Sequence, residues 1–153
     1  MKNLSIGIII GIALIFGSVS DSLGAVVTVC GKSEGYSYYF ESPLTSGSAG
    51  WQKDGMPGGE FMFTISDRMP DILYRDAMKT MRSAKNDGAT VKIMGVESNE
   101  EHKSILVVVM YEGNLEHYHF NINGSGRGEV VWGQARTGGF IPKGSLFVAK
   151  CRK

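Results

Sequence analysis

Two histidines separated by a single tyrosine are the side chains best spaced to bind a metal. His117 and His119 flank Tyr118 in a stretch with the alternating pattern of a β-strand. Side chains two positions apart on a strand point to the same face, so the two imidazoles lie side by side. Zinc and copper sites use this arrangement, and we predict His117 and His119 as candidate metal ligands. A third ligand is not evident, because Glu116 points to the opposite face and His102 lies in a polar loop.

Aromatic side chains supply a second kind of candidate site. Amphipathic rings commonly anchor recognition surfaces, so we predict ligand binding by Tyr36, Tyr38, Trp51 and Trp132. Trp51 is the one large apolar residue in residues 42–59, which are rich in Ser, Gly and Pro and are predicted to form a loop. The alternative interpretation is that these rings are buried in the core, as is common in β-domains.

The remaining motifs do not indicate an enzyme. The glycine-rich residues 124–128 lead into a strand pattern rather than a helix, which suits a connection between strands and not a phosphate-binding loop. Gly47-Ser48-Ala49-Gly50 lacks the spacing and the strand–turn–helix context of a G-x-S-x-G nucleophile elbow. Its formal net charge is only +1, without the basic excess of nucleic-acid-binding domains. We therefore predict no catalytic residue, no cofactor and no nucleic-acid partner.

The N-terminus has the layout of a secretory signal peptide. A lysine at position 2 precedes an uncharged, apolar run over residues 4–19, and small residues follow it. The run is shorter than the roughly 20 apolar residues that a membrane-spanning helix needs. We predict that residues 1–25 are removed after Ala25. The expected product is one soluble domain, residues 26–153, that is secreted or periplasmic and has no membrane partner.

Two cysteines lie near the two ends of this predicted domain. Cys30 and Cys151 are the only cysteines of the chain, so an oxidising compartment allows a single pairing. A bond that closes so long a loop stabilises the fold by about 5 kcal/mol in the chain-entropy model. Because both sulfurs would be bonded, the same pairing excludes a cysteine nucleophile.

Short bursts of aromatic and β-branched residues between turn signals predict an all-β domain. Predicted strands cover residues 25–30, 36–41, 60–66, 129–136 and 145–151. The stretch 71–86 fits either a helix or two strands, and two strands are favoured, with the second turning at Asp87-Gly88 into residues 89–96.

The most specific prediction is a hairpin over residues 104–123. A two-residue turn at Gly113-Asn114 would pair Val109 with Tyr118 and Val107 with Phe120, which are all apolar and share one face. A slip of one residue would bring the two histidines to that face instead.

About eight to ten short strands with joined ends predict a single antiparallel β-barrel or a β-sandwich. The size, the export signal and the cysteines near both ends are similar to the small periplasmic β-barrel inhibitors of lysozyme. That resemblance implies an inhibitor-like protein and identifies no site residue. The predicted function is thus a non-enzymatic exported protein that binds an unknown protein or small ligand. The alternative is a hydrolase or metal-binding protein that uses His117 and His119.

Overall fold

The computed structural model describes residues 25–75, 78–137 and 141–153, and these residues form nine strands. The strands are β1 (Ala25–Tyr39), β2 (Gly50–Ser66), β3 (Met69–Arg75), β4 (Met81–Ser83), β5 (Thr90–Ser98), β6 (His102–Tyr111), β7 (Asn114–Asn123), β8 (Gly128–Arg136) and β9 (Lys143–Arg152). The predicted signal peptide lies outside the described residues except for Ala25, the first residue of β1. No helix in the described ranges could span a membrane.

All nine strands belong to one antiparallel sheet, in the order β4-β3-β2-β1-β9-β8-β7-β6-β5. The sheet is a simple meander in which the first strand pairs with the last. It curls into a half-barrel, and its two edge strands are consecutive in the chain, joined by residues 84–89. The all-β class and the predicted number of strands are confirmed. The single sheet identifies the architecture as an incompletely closed barrel and not a sandwich.

The disulfide between Cys30 and Cys151 is confirmed. The two residues are direct partners in the β1–β9 ladder, and both side chains are buried. The bond therefore reinforces the pairing that joins the first strand to the last.

Strand alternation places one set of apolar side chains inside the curl. The central ring is that of Phe120, which stacks on Phe63 at 5.2 Å between ring centroids. The larger buried apolar residues are Phe61, Phe63, Ile72, Val91, Ile105, Val107, Val109, Tyr118, Phe120, Ile122, Val130 and Phe147. These residues come from seven strands, whose inward faces together form the core.

The predicted loop over residues 42–59 is wrong in its second half. β2 begins at Gly50, and residues 50–56 pair with β1, so Trp51 lies on a strand opposite Tyr38. Glycines in this stretch indicated a loop, but they permit close strand approach instead: a Cβ atom on Gly55 would lie 2.5 Å from the Ser33 carbonyl oxygen. Likewise, the predicted strands 25–30 and 36–41 form the single strand β1, with a bulge between Gly31 and Ser33.

The predicted hairpin forms between β6 and β7, but its register differs by two residues. Tyr111 pairs with Asn114, so the turn is Glu112-Gly113, and Gly113 has the positive φ of 69°. Val107 consequently faces Tyr118 rather than Phe120. A shift of two residues keeps every side chain on its predicted face, which is why alternation alone could not distinguish the two registers.

Residues 71–86 contain two strand segments, the end of β3 and β4, as favoured from the sequence. The predicted hairpin at Asp87-Gly88 is wrong, since β4 pairs with β3 and β5 pairs with β6 in the described sheet. Strand direction explains this result. Every neighbouring pair in the sheet is antiparallel, so eight steps from β4 to β5 leave these two strands pointing the same way. Two such strands cannot form a hairpin ladder.

Candidate functional site

A cavity of about 320 Å³ lies inside the half-barrel, at the end where β6 turns into β7. Inward-facing positions of five strands form its wall. The lining residues are Met56, Phe61, Tyr74, Tyr111, Asn114, Glu116, Tyr118, Trp132 and Gln134. Five of these nine side chains are aromatic, so the cavity is mainly apolar with a few polar groups among the rings.

The rings hold one another in fixed orientations. Trp132 stacks on Tyr118 with 5.7 Å between ring centroids and an interplanar angle of 10°. On its other side the Trp132 indole packs against Phe147, with 4.5 Å between ring centroids. Phe61 makes a T-shaped contact with the indole at a centroid distance of 6.0 Å. Aromatic pairs at these distances are favourable beyond their simple burial. The wall is therefore organised before any ligand is present.

Glu116 is the charged group of the cavity. Its Oε2 atom accepts a 2.7 Å hydrogen bond from the Tyr118 hydroxyl, and its Oε1 atom accepts 3.1 Å hydrogen bonds from the Asn114 and Gln134 side-chain amides. All three donors are neutral. Within the part of the chain that the structure describes, no lysine, arginine or histidine pairs with this carboxylate.

The phenols around the cavity remain protonated at neutral pH. Burial, followed by the nearby charge of Glu116, raises the pKa of Tyr118 well above its usual range and also raises the pKa of Tyr111. Burial and the hydrogen bond to Asp87 raise the pKa of Tyr74 to about 12. These side chains can donate hydrogen bonds or present ring faces, but they cannot supply a second negative charge.

Two lining residues carry buried polar atoms without a hydrogen-bond partner, Trp132 at Nε1 and Asn114 at Oδ1. Leaving a buried donor or acceptor unpaired costs about 1–3 kcal/mol. Such atoms require an explanation in a well-packed domain. Both atoms are themselves inaccessible to solvent, so the cavity does not expose them to a ligand.

A second polar cluster, centred on Asp54, joins β1, β2 and β9. The Asp54 carboxylate accepts hydrogen bonds from Ser37, Tyr39 and Lys143, and Ser37 also lies 2.6 Å from the Ser145 hydroxyl. Burial opposes ionisation of Asp54, but its hydrogen bonds outweigh this and lower its pKa to about 2. Because Ser37 is completely buried, it is not placed to attack a substrate. The cluster is a structural network.

A larger depression, about 730 Å³, lies beside the β1 bulge, and five of its lining residues are charged. Those charges are paired with one another or with neighbours: Lys32 with Glu34, Arg152 with Glu60, and Lys150 with Glu129. A ligand would have to displace these pairs, so the smaller interior cavity is the better candidate.

The four aromatic residues predicted from the sequence do not form one site. Tyr36, Tyr38 and Trp51 lie on the outer face of the sheet, where Trp51 is 68% exposed and meets Tyr38 edge-on at 5.5 Å. Phe40 adds a third ring to Tyr38 at 5.2 Å. Trp132 instead points inward and lines the cavity.

His117 and His119 share the outer face, as alternation predicts. The His117 ring lies over Gly133, and a Cβ atom added to Gly133 would be 2.4 Å from the His117 Cε1 atom. The His119 Nε2 atom lies 2.7 Å from the Ser104 hydroxyl oxygen. Residues 25–75, 78–137 and 141–153 contain no group of three or more His, Cys, Asp or Glu side chains that could hold a metal ion. Metal binding by the histidine pair stays a prediction, which metal analysis of the purified protein would test.

Glu116 and its amide partners were not singled out from the sequence as cavity residues, although a signal existed. Counting back from the apolar positions Phe120 and Tyr118 places Glu116 and Asn114 on the same inward face. Polar residues at consecutive core-facing positions of a strand indicate either an open barrel end or a binding site.

No protein-family model, no curated protein and no solved structure matches this chain.

Proposed function

We propose that this chain is an exported, non-enzymatic binding protein that holds a small ligand in the cavity inside its half-barrel. A volume of about 320 Å³ is at the lower end of the range found for small-molecule sites, roughly 300–1,000 Å³. Largely apolar walls with a few converging polar groups are typical of such sites. The observation that carries the proposal is the Glu116 carboxylate, which lines a largely aromatic cavity and is held there by neutral hydrogen-bond donors.

The proposed location is the periplasm or the exterior of the cell. The sequence of residues 1–25 supports export, and the Cys30–Cys151 disulfide is compatible with an oxidising compartment. The intact mass of the native product tests this proposal. A product that begins near residue 26 and has no alkylatable thiol agrees with export, whereas a full-length reduced chain contradicts it.

Ligand binding can be measured by the fluorescence of Trp132 in a Trp51→Phe variant. The chain has two tryptophans, so this variant leaves the cavity indole as the only one. Titration with a panel of small amines, alcohols, sugars and aromatic compounds should shift its emission saturably for at least one class. The matched control is Trp132→Phe, in which exposed Trp51 should report no change. If no class shifts the emission or raises the melting temperature, the proposal is wrong.

A second candidate function is docking of a partner protein on the outer aromatic surface, defined here as Tyr36, Tyr38, Phe40 and Trp51. The observation in its favour is that all four rings are exposed, and that Phe40 and Trp51 both contact Tyr38, which gives an ordered apolar patch. Aromatic residues of this kind dominate the binding energy of many interfaces.

Replacing Trp51 by alanine separates this second function from a structural role. Because the indole is mostly exposed, we expect the melting temperature to change by less than about 3 °C. Proteins retained from an envelope extract by the wild-type bait should be lost with Trp51→Ala and kept with Glu116→Gln. Equal retention by all three baits would exclude the patch as the docking surface, and a large fall in melting temperature would make Trp51 a core residue.

A further inference from the structure

The Glu116 carboxylate in the interior cavity has no positively charged partner among the described residues. Glu116 lines the cavity, and its three hydrogen-bond donors are the neutral side chains of Asn114, Tyr118 and Gln134. All ion pairs found among the described residues involve other carboxylates. A carboxylate in a partly desolvated site favours a cationic partner over a neutral one, because attraction between charges strengthens as water is removed.

The walls of the cavity favour the same kind of ligand. Aromatic rings carry negative charge on their faces, and cavities built from several rings bind ammonium groups. Five rings surround this cavity, those of Phe61, Tyr74, Tyr111, Tyr118 and Trp132. Trp132 and Tyr118 are already packed against other rings on both sides, so Tyr74 and Tyr111 are the rings that could offer a face. The Met56 side chain adds a polarisable apolar contact.

We infer that the ligand held in this cavity is a small organic cation, an amine or quaternary ammonium compound. Its charged group would lie against Glu116 and the ring of Tyr74 or Tyr111. This inference rests on the proposed function and specifies its ligand class.

Anionic and uncharged compounds fit the cavity less well for a physical reason. An anion would face Glu116 as a like charge. An uncharged compound of the same shape would remove water from the carboxylate without replacing that solvation by an opposite charge. The discrimination should therefore depend on charge and not on ligand size.

The test uses two pairs of ligands that have the same shape but differ in charge. Choline is compared with 3,3-dimethylbutan-1-ol, and tyramine with 4-propylphenol, by calorimetric titration of the full exported protein. In at least one pair the cation should bind at least tenfold more tightly than its uncharged counterpart. Glu116→Gln should reduce that ratio to near one, while Glu112→Gln, which removes a charge at the exposed neighbouring turn, should leave it unchanged.

The outcomes separate the two proposals. If the uncharged member of each pair binds as tightly as the cation, the cation inference is overturned and small-ligand binding stands. The cation inference is also overturned if no amine or quaternary ammonium compound binds while uncharged or anionic compounds shift Trp132 emission. If no compound of any class binds, the proposed function itself fails. The wild-type comparison decides the inference even if Glu116→Gln does not fold.

Discussion

Replacing Cys30 and Cys151 together by alanine should lower the free energy of unfolding by about 4–5 kcal/mol. The bond joins residues 121 positions apart, so its loss restores a large amount of conformational freedom to the unfolded chain. Both side chains are buried, and alanine adds no unpaired polar group there. Urea unfolding of the oxidised protein and the double variant measures the difference.

The control for this experiment is the wild-type protein with its disulfide reduced and its two thiols left unmodified. It retains both sulfur atoms in the core, so a similar loss of stability would assign the effect to the covalent link and not to the small change in packing. An unchanged unfolding midpoint in both samples would show that the β1–β9 ladder is stable without the bond. A typical domain has a free energy of unfolding of roughly 5–15 kcal/mol. The expected loss would therefore unfold this protein if its stability is at the lower end of that range.

The second large effect is expected at Phe120, where substitution by alanine should cost about 3–5 kcal/mol. This ring has no exposed surface and stacks on Phe63 and Tyr118, at 5.2 Å and 6.1 Å between centroids. Its removal would leave a cavity that the rigid strands around it cannot close. Thermal and urea unfolding measure the loss.

Phe40→Ala is the matched control, because it makes the same truncation at a ring that is 51% exposed. We expect it to change stability by less than about 1 kcal/mol. Similar losses for the two variants would contradict the placement of Phe120 at the centre of the core. Because Phe120 supports Tyr118, which lines the cavity, Phe120→Ala should also weaken ligand binding in whatever fraction remains folded.

The strand class, the disulfide and the inward face of β7 could be predicted because each depends on local pattern or on simple counting. Alternation placed Tyr118 and Phe120 on one face and the two histidines on the other, and the structure agrees. Two cysteines allowed one pairing, which forms.

Features that depend on backbone pairing at a distance could not be predicted in the same way. β2 extends through glycines and polar residues because β1 pairs with it, and nothing in the apolar pattern of residues 50–59 indicates this pairing. The hairpin register depended on which residue of the turn takes positive φ, and Gly113 can occupy either turn position. The side-chain pattern is the same in both registers.

The cavity could not be predicted from the sequence for a related reason. Aromatic residues were recognised as candidates, but the sequence does not show that Trp132 faces inward while Trp51 faces outward. That distinction needs the register of β8 against β9 and of β2 against β1. The hydrogen-bond partners of Glu116 could not be predicted either, because the three donors come from two strands, β7 and β8, whose register must be known.

The connection over residues 84–89 has a kinetic consequence. It links two edge strands that run in the same direction, and the described sheet has no ladder between them, whereas the opposite side is held by a covalent bond. Amide protons along these edges should exchange with solvent faster than those of β1 and β9. Tyr74 of the cavity wall is hydrogen-bonded to Asp87 in this connection, so opening here would move one wall. We expect the rates of ligand association and release to follow the opening rate of this edge.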